Sequence, residues 1–399
     1  MFVGLTTISA KFVKSSAKFP TGISGKRIAA FGALALLAGC TVVPKSGPQG
    51  PQAPEAEAPD AERLPTDSER HRVALLLPMT GTNGSVGQAI ANATTMALLD
   101  TNAQSLRITT YDTSTGADSA AAKAIADGNK LILGPLLADD VVAVSTVARS
   151  AKVPMITYSN DTGVASRDVF VLGQAPGQSI SRVVAFAKAR GVNRFAAIIP
   201  TGTYGQRASA ALIDAARASG GTVAGIETYD RANTSVASAV RRLNDKGGFD
   251  ALLIADGARI TLQAAPLVGK KTRILGTELW SGEASLSRNA ALRGAWFATV
   301  SDGRYGQFAQ SYRTRFGSAP PRIATLGYDS VLLTLKVARE WRPGTVFPTA
   351  KLYDKGGFIG LDGAFRFSTS GVAERAMEVR EIGAGTISVT DPAPTAFAD

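Results

Sequence analysis

The chain has 399 residues, of which 45% are hydrophobic, and its 43 basic and 32 acidic residues give a formal net charge of +11. It contains one cysteine, Cys40, and one histidine, His71, which lies at the edge of a polar segment. These counts exclude a disulfide framework, Ser-His-Asp and Cys-His catalysis, and zinc sites built from several His or Cys ligands. We therefore expect a non-enzymatic protein with no catalytic residue, no metal site and no cofactor.

The N-terminal segment predicts export. Basic residues but no acidic residue precede Cys40, and the apolar run Ile28–Ala38 ends just before it. A basic stretch followed by a short apolar run is typical of a secretory signal, and a bilayer span would need about 20 apolar residues. Leu37-Ala38-Gly39-Cys40 resembles the lipobox of bacterial lipoproteins, which implies that residues 1–39 are removed and Cys40 is lipidated. The alternative is an ordinary signal peptide that happens to precede a cysteine.

Residues 40–71 predict a disordered tether behind this anchor. Beyond Cys40 the segment is rich in Pro, Gln, Ala and Glu and has almost no large apolar side chain, so it cannot bury enough surface to offset the entropy of ordering. Thr41 after the cysteine, in place of Asp, resembles the signal for sorting to the outer membrane. We therefore expect a periplasm-facing head anchored to the outer membrane, with the inner membrane as the less favoured alternative.

Beyond the tether, short β-rich runs alternate with longer helical ones. Predicted strands begin near Val73, Leu106, Lys130, Pro154, Phe195, Ala251 and Arg273, and predicted helices cover Gln88–Asp100, Ala117–Ala126 and Val141–Ser150. This alternation predicts an α/β fold with parallel sheets connected by right-handed crossovers. From Gly360 to Gly371 the pattern changes to strand, turn, strand. Glu378–Ile382 is predicted as a terminal strand, and residues 386–399 are predicted to fray.

Several motifs then resemble the type I periplasmic binding proteins of the leucine/isoleucine/valine-binding group. They are Val73–Gly81, Gly87–Ile90, Ile132–Leu136, Val153–Ile156, Tyr204-Gly205, Gly327-Tyr328-Asp329 and Gly360–Gly363. The resemblance implies two doubly wound parallel-sheet lobes over residues 72–385, joined by three crossing segments around a ligand cleft. Lobe 1 is predicted at residues 72–173 and 296–343, and lobe 2 at residues 174–295 and 344–385.

Ligands of open α/β sheets bind beyond the C-terminal ends of strands, where loops lead into helices. These loops supply the candidate ligand residues Thr80, Asn83, Asp139, Ser159, Asn160, Asp161, Tyr204, Asp256, Glu278 and Trp280. The resemblance implies that Glu278 pairs with the amine of an amino-acid ligand; the alternative is a solvated loop residue. Asp139 or Asp161 would repel a ligand carboxylate. Trp280 has the alternative of packing at the lobe interface.

Two functions from different classes fit this pattern. The strand Val73–Pro78 and the string Gly276–Trp280 resemble the penicillin-binding-protein activator lipoproteins, which implies contact with a peptidoglycan synthase and regulation without catalysis. The alternative is the substrate-binding lipoprotein of an ABC importer for branched-chain amino acids or related small solutes, with an ABC permease as partner. In either case we expect membrane attachment through the lipid anchor, a small ligand or muropeptide in the cleft, and no nucleic-acid partner, because the protein is exported.

Overall fold

The computed structural model describes residues 69–232, 235–395 and 397. The predicted signal peptide, the lipidation of Cys40 and most of the predicted tether lie outside the described residues. The tether prediction extends too far at its C-terminal end, because the first strand begins at His71. The His71 ring is buried and stacks on Trp341 with 4.1 Å between ring centroids.

The first lobe is built on a parallel sheet of five strands in the order β2-β1-β3-β4-β5. Its strands and connecting helices are β1 (His71–Leu77), α1 (Gly84–Asp100), β2 (Leu106–Asp112), α2 (Ala117–Ala126), β3 (Leu131–Leu133), α3 (Ala138–Ser150), β4 (Met155–Thr157) and β5 (Val169–Val171). Both faces of β1 are covered: Leu75 packs into one hydrophobic cluster and Leu76 into another. This double burial explains the uninterrupted apolar run in the sequence.

The second lobe has a sheet of seven strands in the order β15-β14-β10-β9-β8-β6-β7. Its continuous part comprises α4 (Pro176–Ala189), β6 (Arg194–Pro200), α5 (Thr203–Ala218), β7 (Thr222–Tyr229), α6 (Val236–Lys246), β8 (Ala251–Ile254), α7 (Ala258–Ala264), β9 (Arg273–Gly276) and β10 (Trp296–Val300). Strands β6 to β10 are mutually parallel. Short 3-10 turns, one of them at Glu278–Trp280, connect β9 to β10.

The chain then returns to the first lobe and adds α8 (Tyr305–Phe316), α9 (Thr325–Ala338) and a small antiparallel sheet. The strands of that sheet are β11 (Phe358–Gly360), β12 (Gly363–Phe367) and β13 (Ala373–Arg375). Finally β14 (Met377–Ile382) and β15 (Ile387–Asp391) extend the second sheet in antiparallel register. The chain therefore crosses between the lobes three times, at 172–175, 301–304 and 376, which agrees with the expected three crossing segments.

Three predicted boundaries need correction. Strand β10 at residues 296–300 pairs with β9 and belongs to the second lobe, although we predicted it in the first. Residues 344–375 pack in the first lobe, although we predicted them in the second: Phe358, Phe365 and Phe367 share one hydrophobic cluster with Leu75. The predicted fraying from residue 386 is wrong for β15, which pairs with β14 and whose Asp391 bonds Arg182 at 2.8 Å.

Both lobes use the same close approach between a strand end and the following helix. A Cβ atom at Gly87 in α1 would lie 1.9 Å from the carbonyl oxygen of Pro78, and one at Gly205 in α5 would lie 1.8 Å from that of Pro200. Only a glycine lets the helix pack this closely against the strand end. These contacts fix the helices that begin at the C-terminal edges of the two sheets.

This packing predicts the effect of substituting Gly87. We expect Gly87→Ala to lower the free energy of unfolding by about 2–4 kcal/mol, because the methyl group overlaps a backbone oxygen that cannot move aside. Gly306→Ala in α8 is the control: no atom lies within 4 Å of its added Cβ, and helix propensity alone would raise stability by up to about 1 kcal/mol. Urea unfolding of both variants measures the difference, and equal stabilities would contradict the packing argument.

Candidate functional site

A cavity of about 590 Å³ lies where loops of both lobes face each other. The first lobe lines it with Asn83, Val86, Leu136, Leu137, Tyr158 and Asn160. The stretch before α9 adds Pro321, Arg322 and Ile323, and α9 itself adds Leu326. The second lobe and the first crossing segment complete the lining with Gln174, Glu278, Leu279, Ser281 and Glu283. The cavity lies beyond the C-terminal strand ends, where the sequence analysis placed the cleft.

Of the ten predicted ligand residues, Asn83, Asn160 and Glu278 line this cavity. Thr80 is exposed and bonds Ser114 through its backbone amide at 3.1 Å, and Asp139 is an exposed residue in the first turn of α3. Neither side chain is among the cavity lining.

Ser159 is buried, and its hydroxyl accepts the backbone N–H of Asp161 at 3.1 Å. The hydroxyl therefore stabilises the loop after β4. We retain Ser159 only as a residue that shapes this loop.

Glu278 is buried at the second-lobe side of the cavity. The Ser179 hydroxyl in α4 donates to one carboxyl oxygen at 2.5 Å, and the Tyr204 hydroxyl donates to the other at 3.0 Å. Burial raises the pKa of the Glu278 carboxyl, while these hydroxyl donors oppose the shift. The alternative of a solvated loop residue is therefore wrong. Tyr204 acts on the site through Glu278, and burial also raises the pKa of its phenol.

An ion pair connects the two lobes beside the cavity. Asp161, in the loop after β4, pairs with Arg207 in α5, and the same guanidinium donates to the Asn160 side chain at 3.3 Å. About a quarter of each charged side chain remains exposed, 22% for Asp161 and 25% for Arg207. The sequence analysis missed Arg207, although its place in the first turns of the helix opened by Tyr204-Gly205 was a usable signal.

Two predicted ligand residues have internal structural roles. Asp256 accepts from the Arg231 guanidinium at 2.8 Å and from the Tyr229 hydroxyl. Trp280 is fully buried against Gly276 and Phe297, and its indole N–H donates to the backbone oxygen of Asp256 at 3.0 Å. Its ring packs inside the second lobe, so a role for Trp280 as a ligand platform is wrong.

A network of charged side chains connects the cavity to the segments that cross between the lobes. Arg322 lines the cavity, and its guanidinium donates to Asp362 at 3.1 Å, to the Ser301 backbone oxygen at 2.8 Å and to Asp302. Asp302 also accepts from Arg380 in β14. Although burial opposes it, pairing with Arg380 and Arg322 lowers the pKa of Asp302. The second crossing is thus held between the two lobes.

The same network reaches the other two crossings. Gln174, in the first crossing, donates to Asp362 at 2.9 Å. Arg375, just before the third, donates to the Leu172 backbone oxygen at 2.6 Å. Asp329 in α9 is fully buried and accepts the backbone N–H of Leu361 at 2.6 Å. Burial, together with the charge of Asp362, raises the pKa of Asp329 to about 7.

The described residues contain no cluster of three or more side chains suited to hold a metal ion. Within the same part of the chain, none of the helices has the length and apolar character required to cross a bilayer.

The raised pKa of Asp329 predicts a pH effect on stability. A carboxyl whose pKa is higher in the folded state binds more protons when folded, so its contribution to stability is present at low pH and is lost as the pH rises through about 7. We expect the free energy of unfolding of the unmodified protein, relative to Asp329→Asn, to fall by more than about 1 kcal/mol between pH 4.5 and 7.5. Parallel pH profiles of the two proteins would contradict this expectation; Asp139→Asn serves as the exposed control.

The ion pair between the lobes predicts a conformational change on its removal. We expect Arg207→Ala to populate a more open arrangement, because charge-assisted hydrogen bonds contribute about 1.5–3 kcal/mol each and these join one lobe to the other. Spin labels on the two lobes would report longer distances in the unliganded variant. Arg217→Ala, on the exposed part of the same helix, should leave the distances unchanged. Identical distances in all three proteins would show that the pair does not hold the lobes together.

Comparison with known proteins assigns the fold to a family. The family model described as periplasmic binding protein matches residues 71–386. An uncharacterised protein of Rickettsia prowazekii (strain Madrid E) is 27% identical over 175 residues, which are 43% of this chain and 47% of that protein. The match therefore spans about half the length of this curated relative.

Three solved structures share the architecture. Leucine-binding protein LivK from Thermotoga maritima has a TM-score of 0.63 and 21% identity, covering 81% of this chain and 98% of LivK. A periplasmic ligand-binding protein of a branched-chain amino acid ABC transporter from Burkholderia xenovorans LB400 has a TM-score of 0.66 and 18% identity, covering 82% and 95%. LivJ from Streptococcus pneumoniae, solved in complex with isoleucine, has a TM-score of 0.61 and 16% identity, covering 81% and 100%. These TM-scores establish a shared fold. The family match over residues 71–386 establishes that the chain belongs to the periplasmic binding proteins, with the type I fold of two α/β lobes.

Proposed function

We propose that this protein is the solute-binding component of an ABC importer and that it holds a small ligand in the cavity between its lobes. The observation that carries the proposal is a cavity of about 590 Å³ to which both lobes and a crossing segment contribute side chains. This volume lies within the range of about 300–1,000 Å³ typical of small-molecule sites. With the same fold, LivK is a leucine-binding protein and LivJ is the substrate-binding protein of a branched-chain amino acid transporter.

The arrangement of lobes and crossings supports ligand-dependent closure. A ligand that touches both walls binds the closed state better than the open one, and this difference in affinity is what shifts the population. The Arg207–Asp161 pair already joins the lobes in the described conformation. Closure would present a surface composed of both lobes to the permease, which is the partner this proposal requires.

The proposal places the head in the periplasm, in agreement with its family. It retains Cys40 as the lipidation site and the following segment as a tether to a membrane. Thr41 supports the outer membrane, whereas a permease partner requires access to the inner membrane. Mass spectrometry of the mature N-terminus and membrane fractionation would test both points.

Regulation of a peptidoglycan synthase is the second candidate. One observation favours it: two carboxylates that were expected to contact a ligand form ion pairs within the protein instead, Asp161 with Arg207 and Asp256 with Arg231. A head that acts by protein contact needs no free polar groups in its cleft. In this case the partner would be a penicillin-binding protein, and a muropeptide would be the ligand to test.

A thermal-shift screen separates the two candidates. The mature chain from residue 40, carrying Cys40→Ser, would be tested against amino acids, aliphatic amines, aromatic acids, short peptides and muropeptides. A ligand present at 1,000 times its Kd stabilises the fold by about 4 kcal/mol, which raises Tm by several degrees. We expect a shift with one class of small solute. A shift with muropeptides alone would favour the regulator, and no shift across the panel would contradict the importer proposal.

A further inference from the structure

Another cavity lies in the second lobe, away from the ligand cleft. Its volume is about 540 Å³, and the segments that precede β9 and β10 supply most of its lining. Because β9 and β10 are parallel, these segments lie at the N-terminal edge of the sheet. Glu278 follows β9 at the opposite edge, where the cleft lies. A partner bound at this cavity therefore leaves the cleft accessible.

The charged side chains that line this cavity are all positive. Among the described lining residues none is acidic, and the basic ones are Lys270, Lys271, Arg273 and Arg293. The backbone N–H of Thr272 donates to the Gly269 oxygen at 2.9 Å, so the two lysines occupy the central positions of a tight turn. Both lysines and Arg293 are exposed, and within the described part of the chain none of the three has an ion-pair partner.

The fourth cation, Arg273, has a structural role. Its guanidinium donates to the backbone oxygen of Gly294 and lies over the Trp296 ring, 4.2 Å from the ring centroid. Arg273 therefore connects the segment before β9 to the segment before β10 and fixes the shape of the cavity. The other three cations are left to contact a partner.

Two carboxylates at this edge of the sheet are engaged by other groups. Asp250, directly before β8, accepts the backbone N–H groups of Asn193 and Arg194, each at 2.9 Å. Glu381 in β14 accepts the indole N–H of Trp296 at 2.7 Å. Neither carboxylate has a recorded contact with the three exposed cations. The cavity therefore presents a local excess of positive charge, which attracts anions.

Apolar side chains lie directly beside these cations. Pro266 and Val268 line the cavity, and Leu267 between them is 40% exposed. Proteins that bind at the surface of an anionic membrane combine exposed apolar residues with lysine and arginine in this way. The basic side chains meet the phosphate groups, while the apolar ones enter the boundary between head groups and acyl chains.

We infer that this cavity binds the phosphate group of an anionic phospholipid. Lys270, Lys271 and Arg293 contact the head groups, and Leu267 enters the interface beside them. The proposed lipid anchor at Cys40 would keep the head close to such a surface. Binding here depends neither on the solute in the cleft nor on closure of the lobes, so the inference goes beyond the proposed function.

Vesicle co-sedimentation of the mature chain carrying Cys40→Ser tests the inference without the lipid anchor. We expect at least ten-fold tighter binding to an equal mixture of phosphatidylglycerol and phosphatidylcholine than to phosphatidylcholine alone. Salt at about 1 M shortens the Debye length to about 3 Å and should abolish the binding. Equal binding to the two kinds of vesicle, or no binding to either, would overturn the inference.

Two variants that each lose three positive charges separate this site from the general charge of the protein. The cavity variant carries Lys270→Gln, Lys271→Gln and Arg293→Gln. The control variant carries Lys123→Gln, Lys152→Gln and Arg313→Gln, all at exposed positions in the first lobe.

The cavity variant should bind the mixed vesicles at least ten-fold more weakly, because each basic residue near an anionic surface strengthens binding about five-fold. The control variant should stay within three-fold of the unmodified chain. Equal weakening of the two variants would mean that only the net charge of the protein acts, and would overturn the site. Because all six positions are exposed, we expect the three proteins to unfold at the same Tm.

Inorganic phosphate distinguishes a lipid head group from a soluble anion. Calorimetric titration of the unmodified chain and of the cavity variant with phosphate measures binding of the free anion. Phosphate binding that the cavity variant loses, without binding of the unmodified chain to the mixed vesicles, would identify a soluble ligand and overturn the assignment to a phospholipid. Vesicle binding that phosphate weakens by competition would support it.

Discussion

The pairing of Arg322 with Asp302 and Asp362 is the interaction on which the arrangement of the two lobes depends. Arg322 reaches the cavity on one side, and its acceptors belong to the second crossing and to the turn between β11 and β12. A buried charge is stable only while its partners are in place, and removing one partner leaves the others uncompensated. We therefore expect the crossing segments to bend in ways that keep this network intact, because Arg322 lines the cavity and also holds the second crossing.

The cleft itself combines two electrostatic conditions. At one edge, Arg207 and Asp161 neutralise each other across the lobes, so the unliganded protein already has an attraction that favours closure. At the second-lobe wall, the buried Glu278 carboxyl is held by the hydroxyls of Ser179 and Tyr204, whereas Glu283 lines the cavity with no ion-pair partner among the described residues. A ligand shifts the balance between open and closed states only by the difference in its affinity for them. Contacts with both walls supply that difference, and contacts with one wall do not.

The sequence alone predicted much of the fold. The helix Ala117–Ala126 has the predicted bounds, β2 begins at Leu106 as predicted, and β1 was recognised from its apolar run. Helix α1 begins at Gly84, earlier than predicted, because its first turn is polar and glycine-rich and gives no helical signal. The positions of the cleft loops were also predictable, since parallel strands all end at one edge of their sheet and ligand sites form there.

What the sequence by itself determined is thus local: where strands and helices lie, and that the strands alternating with helices are parallel, because their continuous apolar runs encode burial on both faces. Only the tertiary structure decided which lobe receives β10 and residues 344–375, that β15 pairs with β14, and which charges neutralise each other. Strand pairing and ion pairs such as Arg207–Asp161 join segments far apart in the chain, and no local pattern specifies the partner. For the same reason, only the folded molecule showed that Asp161 and Asp256 are paired with arginines and that Glu278 is buried.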